Sequence, residues 1–279
     1  MFTINCKGKI LRFDDPLVMG VINLTPDSFY QGYLNSGIDA ITALAEKMIK
    51  DGADIIDIGG QSTRPGSTPI AAEEELQRVL PAIKAIHKNN PGIIISIDTY
   101  HSAVANAAVE AGASMVNDIS GGNIDRDMLP TVAALKVPYV CMHMKGEPGT
   151  MQLEPRYENV VTEVLDFFIA KLEQCNTAGI SDIIIDPGFG FGKTIEHNFS
   201  LLKNLSIFSI TGKPILAGLS RKSTIYKTLG STAAEALNGT TVLNTMSLLN
   251  GASILRVHDV KEAKEAVTLF NAYKKAPQD

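Results

Sequence analysis

The sequence predicts an α/β protein of the (β/α)8 barrel class, with an N-terminal β-hairpin closing one end. Three observations predict it. Eight short runs rich in Val, Ile and Leu recur along the 279 residues. Helix-like stretches alternate with these runs, as in βαβ units. Each run ends in a polar residue: Asn23, Asp57, Asp98, Asn117, His143, Asp186, Ser220 and His258, the last with Arg256 just inside. Strands covered by helices on both faces read as apolar runs. Polar residues at eight such ends converge on one barrel mouth. An open doubly wound sheet is the alternative. It needs a glycine-rich phosphate loop after its first strand, and that place holds NLTPDSF.

The elements follow in order. Residues 2–13 alternate like a hairpin and would plug the end opposite the mouth. Strands are expected near 18–23, 54–58, 93–98, 114–117, 138–143, 182–186, 214–219 and 253–257. Helical patterns lie between them, as at 40–52, 73–88 and 160–179, and VKEAKEAVTLFNAYKK forms the last. Gly52, Gly112 and Gly179 stand where helices should stop. No linker interrupts the pattern, so residues 1–279 read as one domain.

Composition narrows the class. A hydrophobic share of 45% and a charged share of 20% suit one large core. The net charge of −5 leaves no basic footprint for nucleic acid or an anionic membrane. Cys6, Cys141 and Cys175 are scattered, odd in number and without metal spacing, which implies a reducing setting. Cys141, inside an apolar run, reads as core. The charged N-terminus is not a signal peptide, and no apolar run reaches the roughly 20 residues of a membrane span. A soluble, cytoplasmic protein is expected.

Three polar loops fall at the mouth end: 23–37, 59–69 and 143–157. Loops of this length are commonly lids or binding loops. Asp98 and Asp186 end apolar strands, and a buried carboxylate without donors costs several kcal/mol. A ligand with a guanidine-like N–C–NH2 edge would supply two donors. With the amide of Asn117, the set suits a flat, nitrogen-rich heterocycle. Capping of nearby backbone is the plainer reading. Asp57 and Asp118 read as structural.

A second set suits an anion. Arg64, Arg256 and His258 donate, Ser62 and Thr63 add hydroxyls, and Arg matches phosphate oxygens with its planar fork. Residues 256 and 258 share a side of their strand, although a link to Asp259 is also open. Asn23 offers a hard oxygen of the kind Mg2+ accepts. SRKS at 220–223 opens a helix and places Lys222 over the mouth. DPGFGFGK at 186–193 lacks P-loop spacing, and its Phe191 reads as a wall for a flat ligand, as Phe29 does in the first loop. His87, His101 and His197 read as surface residues, and His143 has no second ligand for zinc.

These blocks together resemble the dihydropteroate synthase family, a branch of the pterin-binding TIM barrels. The resemblance rests on MGVINLTPDSF, DIGGQSTRPG, SIDT, VNDISG, MHMKGEPGTMQ, DPGFGFGK, GLSRKS and LRVHDV, in the family's order along nearly the whole chain. It implies a transferase of folate synthesis, from a family that sulfonamides target. Such an enzyme joins 6-hydroxymethyl-7,8-dihydropterin diphosphate to p-aminobenzoate, uses Mg2+ and forms a homodimer. The resemblance implies that Asp98, Asn117, Met142, Asp186, Lys222 and Arg256 hold the pterin. Asn23 would bind Mg2+ and, with Thr63, Arg64, Arg256 and His258, the diphosphate. Phe29, Thr63, Pro65, Phe191 and Ser223 would shape the p-aminobenzoate site. The catalytic set would be Asp98, Asp186, Lys222, Arg256 and His258. Gln31 stands where the family commonly has an acidic residue and Gln61 where it has Glu, which leaves Asp27 as the candidate facing a cationic intermediate. A pterin-dependent methyltransferase barrel or a non-catalytic pterin binder would share the Asp and Asn pocket.

Overall fold

In a computed structural model, residues 2–25, 37–62, 67–147 and 149–277 are described. The chain begins with an antiparallel hairpin, β1 (Thr3–Cys6) and β2 (Lys9–Arg12). Its turn, Lys7–Gly8, has positive φ at both residues, the geometry that tight hairpins use and glycine accepts without strain.

Eight parallel strands follow: β3 (Leu17–Asn23), β4 (Ile55–Gly59), β5 (Ile94–Asp98), β6 (Met115–Asp118), β7 (Tyr139–Met142), β8 (Ile183–Asp186), β9 (Leu216–Ala217) and β10 (Ile254–Val257). They pair in the order β8-β7-β6-β5-β4-β3-β10-β9. A bridge between Ile185 and Ile215, with Ile185 N donating to Pro214 O at 3.0 Å, joins β8 to β9 and closes the barrel. Closure excludes the open sheet. β9 is shorter than the 214–219 expected and covers Leu216–Ala217.

Helices α1 (Gly37–Lys50), α2 (Ala72–Asn89), α3 (Ser102–Ala111), α4 (Met128–Leu135), α5 (Val160–Ala178), α6 (Ile195–Lys203), α7 (Ser223–Thr228), α8 (Leu237–Leu249) and α9 (Val260–Lys275) surround it. Local chemistry sets their ends. Asn159 caps α5 by accepting from Val161 N and Thr162 N, and Gly179 ends it in the left-handed region. Gly112 ends α3, where any side chain would also strike the His87 ring.

Side-chain parity divides the interior into layers. Outward residues such as Ile56, Ile58, Ile95, Ile97, Val116, Ile185 and Val257 pack beneath the helices in the main core. Inward residues at the strand starts form a second apolar cluster: Met19, Ile55, Ile94, Met115, Val140, Ile184, Leu216 and Ile254. Ile4, Cys6 and Leu11 of the hairpin belong to that cluster, so the hairpin plugs the bottom as expected. Asn5 N donates to Asp182 Oδ2 at 2.9 Å and ties the plug to the barrel.

Candidate active site

Further along β4, β5, β6, β8 and β10, the same inward parity changes from apolar to polar. Asp57, Asp98, Asn117, Asp186 and Arg256 follow Ile55, Ser96, Met115, Ile184 and Ile254 at a spacing of two on β4, β5, β6, β8 and β10. Asp98 and Asn117 are register partners on neighbouring strands. Arg256 links the set: its Nε donates to Asp57 Oδ2 at 2.6 Å and its NH2 group to Asp98 Oδ2 at 2.5 Å. Asn117 Nδ2 also donates to Asp57 Oδ2, at 3.0 Å. Asp186 Oδ1 accepts from Gly188 N at 2.7 Å. Asp118 has the opposite parity and faces the helices. Its carboxylate is saturated by Ser120 N, Ser120 Oγ, Gly122 N and Tyr139 Oη, so its reading as structural holds.

Lys222 reaches the site from the turn after β9. It is the N-cap residue of α7, and Arg221 before it has a φ of 54°. Ser220 is therefore not a helix cap; its Oγ lies 3.0 Å from His258 Nδ1. Lys222 Nζ donates to Phe189 O at 2.5 Å and stands 4.8 Å from the centre of the Phe191 ring. A methyl on Gly218 would meet Lys222 Nζ at 3.7 Å, Arg256 Cβ at 3.9 Å and Asp186 Oδ2 at 4.0 Å. Glycine there keeps space open among three charged side chains. The link to Asp259 does not form at Arg256 or His258, because Arg221 takes Asp259 through Nε at 2.9 Å and NH2 at 2.8 Å.

Burial dominates the electrostatics. Loss of hydration, with Asp57 and Asp118 nearby, pushes Asp98 up to about 7 against the pull of Arg256. Asp186 is raised by burial, opposed by Lys222. Lys222 falls to about 8, again by burial first. His258 falls to about 4, through desolvation within the concave mouth and the adjacent Arg256 charge, although solvent reaches its ring. Arg256 is raised: the attraction of Asp57 and Asp98 outweighs its burial.

The apolar wall consists of Tyr100, Ile119, Met142, Met151 and Phe191, with Met144 against them. Met142 and Phe191 thus stand together, and Ser223 opens α7 beside Lys222. The two loops bearing this wall are locked by Lys193. Its Nζ lies 2.9 Å from His143 Nδ1 and donates to Gly188 O at 2.9 Å, Phe191 O at 3.0 Å and His143 O at 3.3 Å. Burial lowers Lys193 well below the usual lysine range and His143 to about 2, so a neutral imidazole nitrogen faces the lysine. His143 supports the two loops through Lys193, and Cys141 is buried core. Sequence reading passed over Lys193; its place at the end of a triple-glycine loop is the available signal.

Other expectations need correction. His87, His101 and His197 are partly buried, not surface residues. His197 completes the capping box of α6 and packs edge-on to Tyr157, and the His101 ring packs at a tilt of 51° against Tyr100. Gln61 is buried and donates to Tyr100 Oη. Asp27, Phe29, Gln31, Thr63, Arg64 and Pro65 lie outside the described residues. Asn23 ends β3, partly exposed, with no side-chain hydrogen bond to the described residues.

Fold and site define a class, the (β/α)8 barrels with a cluster of charged and polar side chains at the strand ends. Residues 19–258 match the family model for pterin binding enzymes. Dihydropteroate synthase of Escherichia coli (strain K12) is 43% identical over 269 residues, which cover 95% of this chain and 94% of that protein. A structure of Xanthomonas albilineans dihydropteroate synthase with 4-aminobenzoic acid superposes with a TM-score of 0.92 at 40% identity, covering 99% of both chains. A Yersinia pestis dihydropteroate synthase structure in complex with a sulfonamide drug gives a TM-score of 0.93 at 37% identity, covering 99% of this chain and 100% of that one. The chain belongs to the dihydropteroate synthase family of pterin-binding enzymes.

Proposed function

We propose that this chain joins 6-hydroxymethyl-7,8-dihydropterin diphosphate to p-aminobenzoate, giving 7,8-dihydropteroate and diphosphate in folate synthesis. The observation that carries the reading is the convergence of Asp98, Asn117, Asp186, Lys222 and Arg256 at one barrel mouth, in a member of this family. Asp98 and Asp186 accept from the N–C–NH2 edge of the pterin, and Asn117 completes the match. Met142 and Arg256 cover its faces, and Lys222 donates to ring oxygen or nitrogen.

In the proposed mechanism the carbon–oxygen bond to diphosphate breaks first. Arg64, Arg256, His258 and Thr63 stabilise the departing charge, while the two aspartates favour the electron-poor pterin. The amine of p-aminobenzoate then forms the C–N bond and loses its proton. Phe29, Thr63, Pro65, Phe191 and Ser223 hold p-aminobenzoate and exclude water. Sulfonamides compete there. The side-chain carbonyl oxygen of Asn23, which takes no hydrogen bond from the described residues, would hold Mg2+ as a hard oxygen ligand. When bound, the ion offsets charge on the leaving group. A homodimer is proposed through α8 and α9, whose neighbouring faces expose Val242, Met246, Leu249, Leu269 and Tyr273. No described helix is long and apolar enough to cross a membrane.

The test is diphosphate release from the pterin substrate, with and without p-aminobenzoate and Mg2+. Release that depends on both substrates supports the reading; binding without release indicates a non-catalytic pterin binder. Asp98→Asn and Lys222→Ala should each abolish pterin binding or lower turnover by about 100-fold or more. Near-normal activity in both would sink the site assignment.

A further inference from the structure

Asp57 lies on β4 with its side chain fully buried. Asp118, the buried carboxylate that faces the helices, has both oxygens taken, by four donors from Ser120, Gly122 and Tyr139. Asp57 is held differently. Its Oδ2 accepts from Arg256 Nε and Asn117 Nδ2, and its Oδ1 has no partner. Ser96, its register partner on β5, is also buried with an unpartnered hydroxyl, so it does not stabilise the charge. Among the described residues, the donors to Asp57 are thus two side chains of the proposed pterin site.

Two consequences follow from that single oxygen. A carboxylate oxygen only accepts, so the nitrogen end of the Asn117 amide must face Asp57. The amide oxygen is then fixed on the other branch, free of the ambiguity that an unanchored amide has. Arg256, meanwhile, rests on two carboxylates of different accessibility. Asp98 is reachable from the mouth, with 10% of its side chain exposed, while that of Asp57 has 0%. A pterin that takes up Asp98 competes with the NH2 group of Arg256. It cannot reach the Nε contact below.

We propose that Asp57 is a positioning residue for the transfer reaction. Its sealed carboxylate is the pivot on which Arg256 turns from Asp98 to the substrate, and it fixes the orientation of the Asn117 amide. The inference rests on the functional reading above. It goes further by assigning a role to a residue that touches neither substrate. Removing the pivot leaves the guanidinium free to wander, and misplacement by about 1 Å is enough to cost about 100-fold in rate.

The test compares Asp57→Asn, nearly identical in shape, with Asp118→Asn as a structural control, each alongside the wild type. For Asp57→Asn, kcat/KM for the pterin diphosphate should fall by about 100-fold, with KM for p-aminobenzoate within about twofold of wild type. In an Arg256→Ala background the same change should cost less than about threefold. Asp118→Asn should lower the melting temperature without that substrate-selective loss. A rise in KM for p-aminobenzoate as large as the loss in kcat/KM for the pterin diphosphate, or full additivity with Arg256→Ala, overturns the proposal. If Asp57→Asn does not fold, a crystal structure of the wild type with bound pterin substrate decides. Arg256 Nε within about 3.2 Å of Asp57 is expected, and its departure overturns the pivot. A wild type without turnover refutes the functional reading itself, and this inference with it.

Discussion

At the scale of single residues, the site is a set of charges held where water would not hold them. Asp98 is pushed up to about 7 and Lys222 pulled down to about 8, each by burial first. The proposed chemistry needs Asp98 ionised to accept from the pterin and Lys222 protonated to donate. For the free enzyme, kcat/KM for the pterin diphosphate should therefore rise as pH passes about 7 and fall beyond about 8. Initial rates of diphosphate release at low substrate across that range check it, and a flat profile from about pH 6 to 9 would contradict it. In Lys222→Arg the alkaline limb should disappear, because guanidinium stays charged throughout. Asp98 and Asp186 were legible in the sequence because each is the only carboxylate at the end of its apolar run. Lys193 was not. Its partners are His143 Nδ1 and three carbonyl oxygens, whose directions depend on a loop with positive φ at Gly188, Gly190 and Gly192.

At the scale of elements, strand parity separates Asn117 from Asp118. The two are adjacent in sequence, yet one faces the pocket and the other the helices. The apolar run marks where β6 lies but hides this alternation, because both of its faces are apolar until the last two residues. The dipeptide therefore shows a polar ending without showing which member serves the site. The same limit applies to α2. Its first turn contains Glu75, 1% exposed, which accepts from Thr99 Oγ1 at 2.9 Å and has Oε1 unpartnered. In sequence it is one of three consecutive glutamates, and nothing distinguishes it from its solvated neighbours. Burial raises it from 4.5 to about 7, offset by the Thr99 hydrogen bond. Since the folded value lies above the unfolded one, its contribution to stability is complete below the unfolded value and is lost as pH rises through about 7. The loss is on the order of 3 kcal/mol. Thermal melts at about pH 5 and pH 8 should show a lower melting temperature at the higher pH. Glu75→Gln should shrink that difference; an unchanged difference would locate the pH dependence elsewhere.

At the scale of the whole molecule, the barrel divides its interior by height. The lower layer is apolar and sealed by the hairpin, and the upper layer is charged and open to the mouth. Hydrophobic burial is needed below, since the charges above are held at a cost in desolvation. The separation makes stability and chemistry independently adjustable. Ile4 tests it: the side chain is 3% exposed, packs into the bottom cluster and touches no part of the proposed site. Ile4→Ala removes buried methyl and methylene groups from a closed layer and should cost about 2–4 kcal/mol. Chemical denaturation would read this as a lower midpoint with the slope retained. Turnover under conditions where the variant remains folded should stay within about twofold of wild type. A comparable loss of kcat in the folded variant would mean that the plug reaches the mouth through the barrel, and the two layers would then be one mechanical unit.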